Sequence, residues 1–132
     1  MAELTVGVNW LAVIIGFVLA WLLGWVWYSP KLFGTKWAEG KGVDLGTSTD
    51  MPVAAMVAQA VGTFGLAWLV GITAKSNHLL TIILVLLTFA FLVAANGMFG
   101  KSSSYTVRTE VGFIIAMGVI MIATQGVVGS LM

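Results

Sequence analysis

The sequence predicts an all-α integral membrane protein: four transmembrane helices in a single domain, with a short interfacial helix after the first. Three observations carry this. The chain has 132 residues, of which 60% are hydrophobic and 8% charged. A soluble domain is nearer half apolar and a quarter charged, and a soluble fold this small cannot bury so much apolar surface. Residues 6–28, 52–74, 79–99 and 111–132 contain no Lys, Arg, Asp or Glu, and each reaches the roughly 20 residues that a membrane helix needs. Finally, residues 80–87 and 112–123 are apolar without the alternating polarity of membrane β-strands.

The first span follows a segment whose only charge is Glu3. A cleavable leader has a basic start and a short apolar run, so this span is expected to stay in the membrane. It carries Ala12, Gly16, Ala20 and Gly24, each four residues from the next, beside an aromatic stripe of Phe17, Trp21 and Trp25. In lipid, helices are drawn together by close backbone approach and polar contacts rather than by apolar burial. The small-residue stripe therefore serves either packing within the chain or self-association.

Directly after this span comes Trp27-Tyr28-Ser29-Pro30-Lys31-Leu32-Phe33-Gly34-Thr35-Lys36-Trp37. Pro30 lacks an N–H and disfavours a helical Ser29, so the helix must stop there. Leu32, Phe33 and Trp37 can share one face of a short helix while Lys31 and Lys36 reach the headgroups, which predicts an interfacial helix. Trp10, Trp27, Trp37, Tyr28 and Tyr105 fall near span ends and are expected to anchor in the headgroup layer. Ser48, Thr49 and Asp50 offer capping oxygens before Pro52, where the second span begins.

The second and third spans are joined by residues 75–78 alone, so they must be antiparallel neighbours. Further small residues recur in the second span (Ala54, Ala58, Gly62, Gly65), the third (Ala90, Ala94, Gly97) and the fourth (Gly112, Ala116, Ala123, Gly126, Ser130). Orientation follows from the basic residues. Lys31, Lys36 and Lys41 in the first connection, with Lys101 and Arg108 in the third, share one side; Lys75 is alone on the other. The first and third connections are read as cytoplasmic, with both termini outside an inner (cytoplasmic) membrane.

Polar groups within spans are costly and therefore informative. Gln59 lies about 10 Å inside the second span by helical rise. Asn96 lies near the cytoplasmic end of the third, and Arg108 and Glu110 flank the start of the fourth. These four are expected to converge as a candidate polar pocket facing the cytoplasm, or else to act as polar contacts between helices. Glu110, at the start of a helix, would also suit the helix dipole. Asn9, Gln125 and His78 lie towards the other side.

Several chemistries are excluded or unsupported. A net charge of +1 gives no basic field for nucleic acid. With no cysteine and one histidine there is no disulfide, thiolate centre or multi-histidine metal site. No catalytic triad or phosphate loop is present. No enzymatic activity, metal or cofactor is expected; the expected partners are the lipid bilayer and either a second copy or another membrane protein.

Asn9-Trp10, Trp27-Tyr28-Ser29-Pro30, Phe33-Gly34 and Trp37 resemble the bacterial family catalogued as domain of unknown function 1761, small four-helix membrane proteins that open in the same way. Glu110-Val111-Gly112-Phe113 resembles that family's acidic-Ala-Gly-aromatic motif, with Val111 departing at the Ala place. The resemblance supports the layout and marks residues, and it implies no activity. Two functions stay open on the sequence. One is a structural or accessory subunit that self-associates or docks to a membrane complex. The other is a small oligomeric transporter or channel with a cytoplasm-facing polar pocket.

Overall fold

A computed structural model describes residues 2–28, 34–41 and 53–131. It contains six helices among these residues: α1 (Ala2–Thr5), α2 (Trp10–Trp27), α3 (Gly34–Lys41), α4 (Val53–Lys75), α5 (Leu79–Phe99) and α6 (Ser104–Leu131). Four are long and apolar enough to cross a membrane: α2, the Met56–Lys75 part of α4, α5 and α6. The chain is a multi-pass membrane protein. Ser29, Pro30, Lys31, Leu32, Phe33 and the 48–52 segment lie outside the described residues, so the elbow is seen only through Trp27, Tyr28 and the short helix α3.

Local chemistry sets the helix ends. The run expected to start at Val6 is helical only from Trp10, because Gly7 takes a left-handed turn (φ 80°) and Asn9 caps α2 by accepting from the Ala12 N–H at 3.2 Å. The fourth span begins seven residues before the expected Val111. Ser103 caps it, its hydroxyl accepting from the Thr106 N–H at 3.1 Å. Glu110 consequently sits nearly two turns inside α6, and the helix dipole does not account for it.

Helices α4 and α5 leave by the same motif. A residue with positive φ, Asn77 after α4 and Lys101 after α5, turns the chain back. The following N–H then reaches a carbonyl of the last turn: His78 to Thr73 at 2.8 Å, and Ser102 to Gly97 at 2.9 Å.

Helix α6 is the hub. It packs against α2, α3, α4 and α5, while α2, α4 and α5 form an arc around it with α4 in the middle. The core joins Val13 and Ala20 of α2, Leu66 and Val70 of α4, Ile82 and Leu86 of α5, and Phe113, Met117 and Met121 of α6. The outward face of α5 is bare apolar surface, with Leu80 81%, Phe91 76% and Phe99 88% exposed. So large an apolar patch suits a lipid environment.

The small-residue stripe of the first span is used inside the chain. Ala12 and Ala20 are buried, a Cβ on Gly16 would lie 3.6 Å from Met121, and one on Gly24 would lie 3.2 Å from the Phe113 ring. In contrast, Gly62 and Gly65 of α4 and Gly126 and Gly129 of α6 face open space.

A cleft beneath the start of α4

Helices α2, α5 and α6 place their Trp27, Phe99 and Ser104 termini at one end of the bundle, the elbow end, with α3 and the start of α4. The turn at residues 76–78 marks the hairpin end. Helix α3 is seated on the start of α6: the Ser103 N–H donates to the Gly40 carbonyl at 3.1 Å, and the Thr106 hydroxyl donates to the Trp37 carbonyl at 2.8 Å. A Cβ on Gly40 would run into the Ser103 side chain and the Thr106 hydroxyl, so this close approach requires glycine.

Aromatic rings turn inward from the elbow. The Trp27 indole lies on Gly112, with its N–H donating to the Thr109 carbonyl at 3.0 Å. Tyr28 stands edge-on to Trp37 (centroids 5.0 Å apart) and to Phe113 (5.2 Å). These three elbow aromatics, expected as headgroup anchors, are part of the tertiary packing. Lys36 lies 5.5 Å over the Tyr105 ring, a cation–π contact. Trp10 pairs with Trp68 at 5.5 Å, at the other end.

Beneath the start of α4 the helices stand apart. A cleft of about 390 Å³ opens on the α2 side, walled by Trp21, Trp25, Tyr28 and Trp37. A second, of about 300 Å³, opens on the α5 side beside Gly62 and Phe89. Both have Tyr28, Gln59, Thr63, Glu110 and Phe113 in their lining. Gln59 and Thr63 are one turn apart on α4, Thr63 buried and Gln59 exposed at the cleft. The Gln59 amide donates to the Thr63 hydroxyl at 3.3 Å, and that hydroxyl donates to the Gln59 backbone carbonyl at 2.6 Å.

Of the four residues expected to form a polar pocket, Gln59 and Glu110 meet in this cleft; Asn96 and Arg108 do not. Asn96 is exposed because α5 turns Ile82, Leu86, Ala90 and Gly97 inward, and position 96 falls to the side of that face. Arg108 lies on the outward face of α6, and its Nε donates back to the Ser104 carbonyl at 3.3 Å. The sequence reading missed Thr63 and Phe113. Their signal was helical spacing, one turn from Gln59 and from Glu110 respectively.

At the hairpin end, a smaller cleft of about 260 Å³ includes Thr73, Asn77 and the buried Gln125 in its lining. Among the described residues, no group of three or more His, Cys, Asp or Glu is arranged to hold a metal ion. No curated protein and no solved structure matches the chain. With four apolar crossings, an inward-turned aromatic elbow and a carboxylate–Gly–Phe run on the fourth helix, the chain belongs to the family described as Protein of unknown function (DUF1761), whose model matches residues 11–128.

Proposed function

We propose that the protein holds a small amphipathic molecule in the elbow-end cleft and, as an oligomer, carries it as a non-enzymatic transporter of the bacterial inner membrane. Both termini lie outside in this reading, and the cleft faces the cytoplasm. The observation that supports it is the convergence of Gln59 and Glu110, from helices distant in sequence, on one aromatic-walled space. A cleft of about 390 Å³ falls in the size range of small-molecule sites, which are mostly apolar with a few convergent polar groups. Four helices do not readily enclose a path alone, which is why the reading includes oligomerisation.

The test is dye flux into liposomes, using cationic, neutral and anionic fluorescent amphipaths. At least one dye is expected to move faster than in empty liposomes. Gln59→Leu should slow it and Asn96→Leu should not. If no dye moves faster, or if Gln59→Leu behaves as wild type, the transport reading fails.

A second reading, a structural or accessory subunit that self-associates or docks beside a larger complex, is favoured by the open glycines Gly62, Gly65, Gly126 and Gly129. Small residues let a partner helix approach closely in lipid. A protein that is strictly monomeric and co-purifies with nothing in mild detergent would rule this out.

A further inference from the structure

The hairpin end holds a buried polar group that the fold leaves without a partner. Gln125 of α6 is 9% exposed, and its side-chain amide makes no hydrogen bond to a described residue. A Cβ on Gly71 would lie 3.2 Å from the Gln125 Nε2, so the amide lies against α4. It lines the hairpin-end cleft of about 260 Å³ together with Thr73 and Asn77. A buried amide in a membrane protein is costly unless something meets it. We infer that this cleft is a lipid site, in which the Gln125 amide donates to an ester carbonyl of a glycerolipid.

Three observations select that occupant. The first is depth. Gln125 lies level with Gly71, four residues before Lys75, the charged end of the α4 span. Helical rise puts the amide about 6 Å deeper than Lys75. The polar layer of each leaflet is about 5–7 Å thick, so the amide sits where headgroups give way to acyl chains. The ester carbonyls that join the two are the bilayer's own acceptors at that depth.

The second is chemistry. The lining includes no Lys, Arg, His, Asp or Glu among the described residues, so a phosphate or an ammonium finds no counter-charge inside the cleft. The Thr73 hydroxyl donates to the Leu69 and Val70 carbonyls, both at 3.0 Å. The Gln125 NH₂ is thus the buried donor still to be used.

The third is access. Leu79 and Gly126 belong to the lining and are exposed, and a Cβ on Gly126 would have nothing within 4 Å. The cleft is therefore open past α5 and α6, beside the bare apolar face of α5 where acyl chains lie. It shares no lining residue with the two elbow-end openings, and it stands whether or not those hold a ligand.

The experiment compares two lipids that differ only in the carbonyls: a diester phosphatidylglycerol and the diether lipid with the same headgroup and chain length. The full chain is reconstituted in vesicles containing both in equal amounts and extracted into mild detergent, and the lipid it retains is counted by native mass spectrometry. Wild type is expected to retain the ester over the ether by about five- to tenfold, as one hydrogen bond in a dry site supports. Gln125→Leu should retain both alike. Gly126→Leu projects into the open mouth of the cleft, so it should retain little of either while melting as wild type does. Infrared spectra with a carbon-13 label on the ester carbonyl should show a band shifted to lower wavenumber in wild type and absent in Gln125→Leu.

Equal retention of ester and ether by wild type would overturn the inference. So would a folded Gln125→Leu that keeps the preference, or a Gly126→Leu that retains lipid as wild type does. If wild type retains no lipid at all, water meets the amide and the site is not a lipid site.

Discussion

The two ends of helix α4 are built on opposite rules. At the hairpin end the helices are drawn into contact. A Cβ on Gly71 would lie 2.8 Å from Val13 and 3.3 Å from Val8. The chain before α2 is tied down there as well: the Lys75 ammonium donates to the carbonyls of Glu3 and Val6, and the Trp68 indole donates to that of Leu4. At the elbow end of the same helix, Gly62 and Gly65 have nothing beside them, and aromatic rings with a carboxylate surround a space. Glycine on a membrane helix therefore does not itself mark a contact. What decides is whether the facing helix brings a side chain of the right length, as Val13 does for Gly71.

Four substitutions probe this contrast, from the largest expected effect to the smallest. Gly71→Leu forces side-chain atoms into Val13 and Val8, and overpacking of this kind costs about 1–3 kcal/mol; a lowered melting midpoint in detergent would register it. Trp27→Phe removes the hydrogen bond to Thr109, with an expected loss of about 0.5–1.5 kcal/mol and a loosened cleft wall, visible in the same melt and in weaker dye binding. Lys75→Met should free the carbonyls of the first residues. Faster amide exchange over residues 4–7 with an unchanged melting midpoint is the expected signature of such local release. Gly62→Leu enters open space and should leave stability within about 0.5 kcal/mol, while narrowing the α5-side opening and slowing dye access. A destabilised Gly62→Leu beside a stable Gly71→Leu would reverse the comparison.

The four crossings were legible because length and charge exclusion are one-dimensional signals: no charged residue interrupts residues 79–99, and the helix follows. Helix ends were less legible, because capping by Asn9 and Ser103 competes with hydropathy for the boundary. The candidate site was half legible. Depth along each helix can be counted from the sequence, and it placed Gln59, Asn96, Arg108 and Glu110 at a similar level. Rotation about the helix axis cannot be counted when a helix is apolar on every side, since no amphipathic stripe reveals the inward face. That missing angle is why Asn96 and Arg108 turned out to face away. It is also why the packing of Trp27 and Tyr28 against α6 cannot be read from the sequence.

The central claim is that one face of α4 is open at the elbow end and sealed further along. Gln59 and Val70 lie on that face, three turns apart. The sequence has no cysteine, so Gln59→Cys and Val70→Cys each introduce a unique thiol. The direct measurement is their rate of reaction with a small, water-soluble thiosulfonate reagent, with both sides of the membrane accessible. The account predicts fast modification of Gln59→Cys and little or none of Val70→Cys. Equal rates at the two positions, or an inert Gln59→Cys, would contradict it.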